Sequence, residues 1–217
     1  MNVIVVTDSR GRGLLDFILN KRQDLYNKCN LVIICIPGAG IDRLHRKINE
    51  HISDKVENYI PILIGGICDF TQKNKDGILH YEVEDSVPKV LASLNTYWSH
   101  YPHGLTATIP PADINKWNSK KQSHVVDPNL EAQKNLEGDI KIVNQEIQER
   151  NDREGLPHIN LHKPVYVNSI KKKGNRSIRV SKFKSTELPD GVHASENLKE
   201  KWFNHICNII ASKTDLH

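Results

Sequence analysis

The chain begins MNVIVVTDSRGRGL (residues 1–14), in which a nearly continuous apolar run stops abruptly at TDSRG, residues 7–11. Residues 2–6 are mostly β-branched, a pattern typical of a central parallel strand that is buried on both faces. The turn after such a strand lies at the carboxyl edge of the sheet, where open α/β sheets bind ligands. Ser9 is therefore a candidate functional residue. The alternative is that Ser9 only caps the helix predicted from residue 14.

Two further apolar segments end in the same way. LVIICI (31–36) stops at PGAG (37–40), and IPILI (60–64) stops at GGICD (65–69). Between them, apolar residues recur three and four apart over residues 41–56, which predicts an amphipathic helix. Because the carboxyl ends of parallel strands meet at one edge, we expect the three turns to converge in space.

Strands and helices alternate about five times along the sequence. Further strands are predicted at 104–109 and 157–161, and further helices at about 83–101, 136–147 and 198–210. This alternation predicts a three-layer α/β/α architecture with a doubly wound, mainly parallel, five-stranded sheet. We expect a single domain over residues 1–217.

Two segments lack this periodicity. Residues 110–129 are rich in Lys, Ser, Asn and Pro and are predicted to form a lid loop over one end of the sheet. Residues 163–184 carry eight lysines and arginines and no acidic residue, and are predicted to form a basic loop. Lys171, Lys172 and Lys173 in this strip are candidate anion-binding residues that could contact nucleic acid. A solvated loop is the alternative.

The composition limits the functional classes. A formal charge of +4 permits an anionic partner without requiring one. The four cysteines are scattered without the spacing of a zinc site or a disulfide framework, and the histidines lack metal-ligand spacing, so we expect no metal and a reducing, intracellular and cytoplasmic setting. The sequence shows no signal peptide or membrane-spanning run, and its strand starts at residue 2. This start is expected of a cytosolic protein or of a domain from a longer polypeptide.

A serine becomes a nucleophile when a histidine removes its proton and a carboxylate orients that histidine. LPDGVHASE (188–196) places Asp190 and His193 three residues apart on a polar turn before the last helix. These residues would align carboxylate, imidazole and hydroxyl if the turn packs against Ser9. The alternative is an ordinary turn followed by a solvated histidine.

With these three segments in order, the chain resembles the SGNH or GDSL hydrolases, whose flavodoxin-like sheet carries Ser, Gly, Asn and His in separate blocks. DSRG with Ser9 resembles the first block, although Thr7 stands where the family usually has glycine. PGAG resembles the second, which assigns an oxyanion-binding backbone amide to Gly38. DGVH matches the last block, DxxH, and assigns Asp190 and His193 to the triad.

The third block departs from the family pattern. The family has GxND, in which the asparagine amide completes the oxyanion hole, whereas this chain has Gly66-Ile67-Cys68-Asp69. A thiol is a weak donor compared with an amide. Three interpretations of Cys68 remain open: a small buried residue that accompanies loss of activity, a weak thiol donor in the oxyanion hole, or a nucleophile in its own right.

Two hypotheses follow. The resemblance implies a cofactor-independent serine esterase or acyl hydrolase that acts on an ester-containing small molecule, lipid or carbohydrate. Arg10 and Arg12 beside the serine would give it a basic, anion-binding rim, or would simply be solvated residues of a first helical turn. The alternative, based on Cys68 and the basic strip, is a catalytically degenerate binding module for nucleic acid or protein, derived from a mobile element or a larger polyprotein.

Overall fold

The computed structural model describes residues 1–52, 59–81, 85–121, 129–173 and 176–214, with side chains except at 168–182, 185 and 214. The strands are β1 (Asn2–Thr7), β2 (Asn30–Cys35), β3 (Tyr59–Ile64), β4 (Thr71–Lys73), β5 (Leu79–Tyr81), β6 (Leu105–Thr106), β7 (Tyr166–Lys173) and β8 (Arg176–Phe183). The helices are α1 (Leu14–Lys21), α2 (Gln23–Lys28), α3 (Ile41–Ile52), α4 (Ser86–His100), α5 (Ile114–Lys121), α6 (Leu130–Arg153) and α7 (Glu196–Thr214).

The central sheet is parallel and has the strand order β2-β1-β3-β6. Its first strand lies in the middle, as the continuous apolar run predicts, with Val5 paired to Ile33 on one side and to Ile62 on the other. The turns after β1, β2 and β3 therefore leave neighbouring strands at one edge. The prediction of a doubly wound, mainly parallel α/β fold is confirmed.

The fifth predicted strand is reduced to one contact. Over residues 157–161, a single parallel bridge joins Ile159 to Ala107 beyond the end of β6. Thr108 holds the segment in place, since its Oγ1 accepts a hydrogen bond from the Leu161 backbone N–H at 2.9 Å. Pro157 lacks a backbone N–H and so cannot donate to a strand ladder there. The backbone N–H groups of Leu161 and His162 donate to the Thr108 hydroxyl rather than to a backbone carbonyl, and in the described part of the chain the central sheet has four strands.

The side chains of β1 alternate between two cores. Ile4 and Val6 pack with residues of α3, α4 and α6 on one face of the sheet. Val3 and Val5 pack with residues of α1 and α7 on the other face. All four side chains are almost fully buried, which explains why the strand has no polar face. The structure thus has three layers, helix, sheet and helix.

Two segments predicted as loops contain regular structure. Within 110–129, residues 114–121 form α5. The Asp113 carboxylate caps the first turn of this helix by accepting the Lys116 N–H at 2.9 Å. Residues 122–128 lie outside the described residues. The predicted basic loop at 163–184 is mainly an antiparallel hairpin of β7 and β8. Its β-branched residues and the central Gly-Asn pair in the sequence are typical of hairpins, and the lysine-rich composition obscures that signal.

A hydrogen bond to Asp69 joins the turn after β3 to the start of α3. The Asp69 carboxylate accepts the backbone N–H of Ile41, the first residue of that helix, at 3.0 Å. Gly40 permits this approach, because a Cβ there would lie 2.3 Å from the carboxylate oxygen Oδ1 of Asp69. Burial raises the pKa of Asp69 to about 6, although the Ile41 hydrogen bond opposes the shift. The second and third site-bearing turns are therefore held together by one partly buried carboxyl group.

This raised pKa predicts how stability depends on pH. A carboxyl whose pKa is higher in the folded protein binds its proton more tightly there, so ionisation destabilises the fold as pH rises through 4 to 6. Relative to Asp69→Asn, the wild type should lose roughly 3 kcal/mol of unfolding free energy over this interval, at about 1.4 kcal/mol per pKa unit. Urea unfolding at several pH values measures it. The exposed Asp76→Asn variant is the control, and a wild-type to Asp69→Asn difference that stays constant with pH contradicts the prediction.

Candidate active site

The serine turn begins directly after β1. Residues 9–11 form a single turn of 3₁₀ helix, and Asp8 caps it by accepting the Arg10 N–H at 2.9 Å on Oδ1. A glycine is required at position 11, because a Cβ there would lie 2.2 Å from the Thr7 side chain. Ser9 is thus presented at the carboxyl edge of the sheet. It does not cap α1, since Gly13 occupies the N-cap position of that helix.

The turn that carries Asp190 and His193 packs against the start of α5. The carbonyl of Gly191 accepts the Asp113 backbone N–H at 2.6 Å. Gly191 has a φ of 90°, and a Cβ there would lie 2.2 Å from the Asp113 carbonyl oxygen and 2.8 Å from the Trp117 backbone nitrogen. Only glycine combines this backbone conformation with so close an approach. The start of α5 therefore sets the position of the turn.

The structure brings Ser9, His193 and Asp190 into one hydrogen-bonded chain. The Nε2 atom of His193 lies 3.1 Å from the Ser9 hydroxyl oxygen, and its Nδ1 atom lies 2.6 Å from Oδ2 of Asp190. This is the spatial order that activation of a serine hydroxyl by an imidazole requires. The contact between Asp190 and His193 is local and accords with their spacing of three residues, whereas nothing in the local sequence around Ser9 indicates its proximity to His193.

Asp190 is held in its ionised form. Its partial burial would raise the pKa of this carboxyl, but the hydrogen bonds from the His193 side chain and from the backbone N–H groups of His193 and Val192 outweigh that effect and lower the pKa below its usual value. Both backbone groups donate to Oδ1, at 2.7 Å and 2.9 Å. Oδ2 therefore remains available to orient the imidazole.

Ser9 and Gly38 both line the same pocket, and each contributes a backbone amide that could serve an oxyanion. Gly38, in the turn after β2, has a left-handed φ of 74° and lines the pocket beside Ser9. Among the described residues, no group accepts a hydrogen bond from the backbone N–H of Ser9 or of Gly38. Such amides can donate to a negatively charged oxygen that develops next to the serine.

Cys68 also lines this pocket, on the short 3₁₀ turn after β3. Burial raises the pKa of its thiol to about 11, and the nearby Asp8 carboxylate adds to the shift against the opposing charge of Arg10. The thiol is therefore protonated at neutral pH. Since the thiolate is the reactive form of cysteine, this environment does not suit a nucleophile. A weak donor and an inert buried residue remain as interpretations.

Arg10 does not lie on an anion-binding rim, and that prediction is wrong. The side chain is buried, and its guanidinium donates to the carbonyls of Pro110 and Pro111 at 3.0 Å and 3.2 Å. The carbonyl oxygens that follow β6 thus occupy guanidinium N–H donors that an anion would need. Arg12, two residues later, is exposed and lines the pocket.

The pocket beside Ser9 has a volume of about 360 Å³. Sequence reasoning missed four of its lining residues: Thr71 and Lys73 on β4, Leu79 on β5 and Trp117 on α5. The indole N–H of Trp117 donates to the Gly77 carbonyl at 2.9 Å, and its ring lies 6.0 Å from that of His193. The only sequence signal for Trp117 is a large aromatic residue in a polar, non-repeating segment.

Other predicted features lie away from this pocket or outside the description. The backbone of Lys171, Lys172 and Lys173 is part of β7, and their side chains lie outside the described part of the chain. In the described ranges, no three His, Cys, Asp or Glu side chains are grouped so that they could hold a metal ion. Within the same ranges, no helix combines the length and apolarity needed to cross a membrane.

Sequence comparison finds no match to a family model or to a curated protein. Solved structures do match over nearly the whole chain. A lipase/acylhydrolase from Enterococcus faecalis is 17% identical with a TM-score of 0.60, and the match covers 98% of this chain and 97% of that one. A member of the lipolytic protein G-D-S-L family from Veillonella parvula is 12% identical with a TM-score of 0.60, over 97% and 98% of the two chains.

A carbohydrate esterase family 3 protein from Talaromyces cellulolyticus is 12% identical with a TM-score of 0.58, and the match covers 100% of this chain and 99% of that chain. At such low identity the likeness concerns the backbone. The chain therefore has the SGNH hydrolase fold, the α/β/α fold that these GDSL-type lipases and esterases share.

Proposed function

We propose that the protein is a serine ester hydrolase in which Ser9 is the nucleophile, His193 the general base and Asp190 the residue that orients His193. The observation that carries the proposal is the hydrogen-bonded chain from the Ser9 hydroxyl through the imidazole to the Asp190 carboxylate, at 3.1 Å and 2.6 Å. The shared fold of lipases, acylhydrolases and esterases supports the same reaction class.

In the proposed reaction, Nε2 of His193 takes the Ser9 proton as the hydroxyl oxygen attacks the ester carbonyl. The backbone amides of Ser9 and Gly38 donate to the carbonyl oxygen as it becomes negative. The tetrahedral intermediate collapses, His193 gives its proton to the departing alcohol, and the acyl group stays on Ser9. Water activated by His193 then releases the acid. No cofactor takes part in these steps.

Substitution of Ser9 tests the identity of the nucleophile. Ser9→Ala removes the attacking oxygen, so hydrolysis of para-nitrophenyl acetate should fall at least about 10³-fold and covalent labelling by a fluorophosphonate probe should disappear. The readouts are nitrophenolate release and the mass of the labelled protein. Ser212→Ala, which changes an exposed hydroxyl on α7, is the matched control and should behave as wild type. Labelling that persists in Ser9→Ala refutes the assignment.

Substitution of Cys68 tests its place in the oxyanion hole. Because Cys68 occupies the position where the resembled family has asparagine, Cys68→Asn should place an amide donor at the oxyanion and raise kcat by about 10²- to 10³-fold, the usual value of one such donor. Steady-state kinetics on a short-chain ester measures the effect. Cys68→Ala removes the thiol without adding an amide and should show no gain.

If Cys68→Asn is no faster than Cys68→Ala, the oxyanion position at Cys68 is contradicted. If, in addition, neither variant nor the wild type hydrolyses esters, the degenerate binding module is favoured over the enzyme. The specific observation behind that second candidate is the protonated thiol at the pocket wall.

A further inference from the structure

The pocket beside Ser9 contains two cations, Arg12 and Lys73. Within the described residues, neither side chain forms an ion pair with a carboxylate. Several other lysines do so at 2.6–2.7 Å: Lys21 with Glu200, Lys47 with Glu50, Lys184 with Glu187 and Lys199 with Glu196. These four lysines are paired with carboxylates, whereas within the described residues Arg12 and Lys73 are not.

Lys73 is positioned by an aromatic ring. Its ammonium nitrogen lies 4.5 Å from the centroid of the Trp117 ring, and that of Lys121 lies 5.4 Å from the same ring. A cation above an indole face is attracted by the negative potential of the ring. The indole is itself fixed by its hydrogen bond to Gly77. Lys73 is exposed, and its contact with the ring places its ammonium group at the wall of the pocket.

The carboxylates near the pocket do not line it. Among the described residues, no acidic side chain lines this pocket. Asp190 directs its oxygens to His193 and to two backbone N–H groups, and Asp69 accepts from the backbone of Ile41. Asp8 is buried beneath the serine turn. Among the described residues that line the pocket, Arg12 and Lys73 are the only Lys, Arg, Asp or Glu side chains.

We infer that the pocket selects esters that carry an anionic group, such as a carboxylate or a phosphate, bound by Lys73 and Arg12. This inference rests on the proposed hydrolase function and names its substrate class. Apolar lining residues, among them Ile67 and Leu79, would contact the uncharged part of the substrate. The anionic group of the substrate can belong to the acyl part or to the alcohol part of the ester. Matched pairs of charged and neutral esters distinguish these two cases.

The experiment compares kcat/KM for two pairs of esters at low salt. The mono-para-nitrophenyl ester of adipate, paired with para-nitrophenyl hexanoate, tests an anionic acyl group. para-Acetoxybenzoate, paired with its methyl ester, tests an anionic alcohol. We expect a ratio of anionic to neutral kcat/KM above one in at least one pair. Lys73→Gln and Arg12→Gln should each lower this ratio about two- to fivefold, the range for exposed ion pairs, and 0.5 M salt should lower it too.

The matched control is Lys75→Gln, which makes the same charge change two residues from Lys73 at a position that does not line the pocket. It should leave the ratio and the basal activity unchanged. Ratios at or below one in both pairs overturn the inference, as does a ratio that Lys75→Gln lowers as much as Lys73→Gln.

Failure of hydrolysis is distinguishable from failure of selectivity. In the Ser9→Ala background, calorimetric titration with para-acetoxybenzoate and with its methyl ester measures binding without turnover. Tighter binding of the anion that is lost on adding Lys73→Gln supports the inference even if the wild type is inactive. Equal affinities within this pair and within the adipate and hexanoate pair, titrated in the same background, overturn it even if the wild type hydrolyses neutral esters.

Discussion

One hydrogen bond, between the Ser9 hydroxyl and Nε2 of His193, joins residues 184 positions apart and is the contact on which the candidate site depends. It forms only if the carboxyl end of the central strand and the turn before the last helix meet. The last helix makes this meeting possible, because its Trp202 and Leu198 are buried in the same core as Val3 and Val5 of the first strand. Burial of large side chains is the dominant favourable term in folding, and here it also fixes the distance between two reactive groups.

Three polar or close backbone contacts add to the packing of the core in positioning the site. Arg10 binds the serine turn to the carbonyls after β6, Asp69 joins the turns after β2 and β3, and Gly191 lets the histidine turn contact the backbone of α5. Each of these contacts connects elements that are distant in sequence, and each is at least partly buried or involves a close approach of two backbone segments. A hydroxyl, an imidazole and oxyanion donors need to be fixed to within about half an ångström, and directional hydrogen bonds restrict motion more than apolar contact does. The buried polar groups at this edge therefore serve the geometry of the site.

The sequence predicts what depends on local pattern and fails where tertiary contact decides. Uninterrupted apolar runs indicate the three adjacent parallel strands and thus the edge where Ser9 lies, and the DxxH spacing identifies Asp190 and His193. The burial of Arg10 could not be predicted, because its carbonyl partners lie 100 and 101 residues away. Trp117 and Lys73 reach the pocket through a helix and a two-stranded sheet whose periodicity is too short to detect. The β7–β8 hairpin was missed because its many lysines and arginines are also typical of a solvated loop.

The charge of the pocket and the missing amide at position 68 act on different stages of the proposed reaction. An anionic group held by Lys73 and Arg12 is bound equally well before and during attack on the carbonyl, so it strengthens substrate binding and lowers KM without raising kcat. An oxyanion donor acts only as the carbonyl oxygen becomes negative, and its loss lowers kcat. A thiol whose pKa is about 11 is too weak a donor to replace an amide. Cationic recognition in this pocket therefore does not compensate for Cys68, and a hydrolase of this design would combine selective binding with slow turnover.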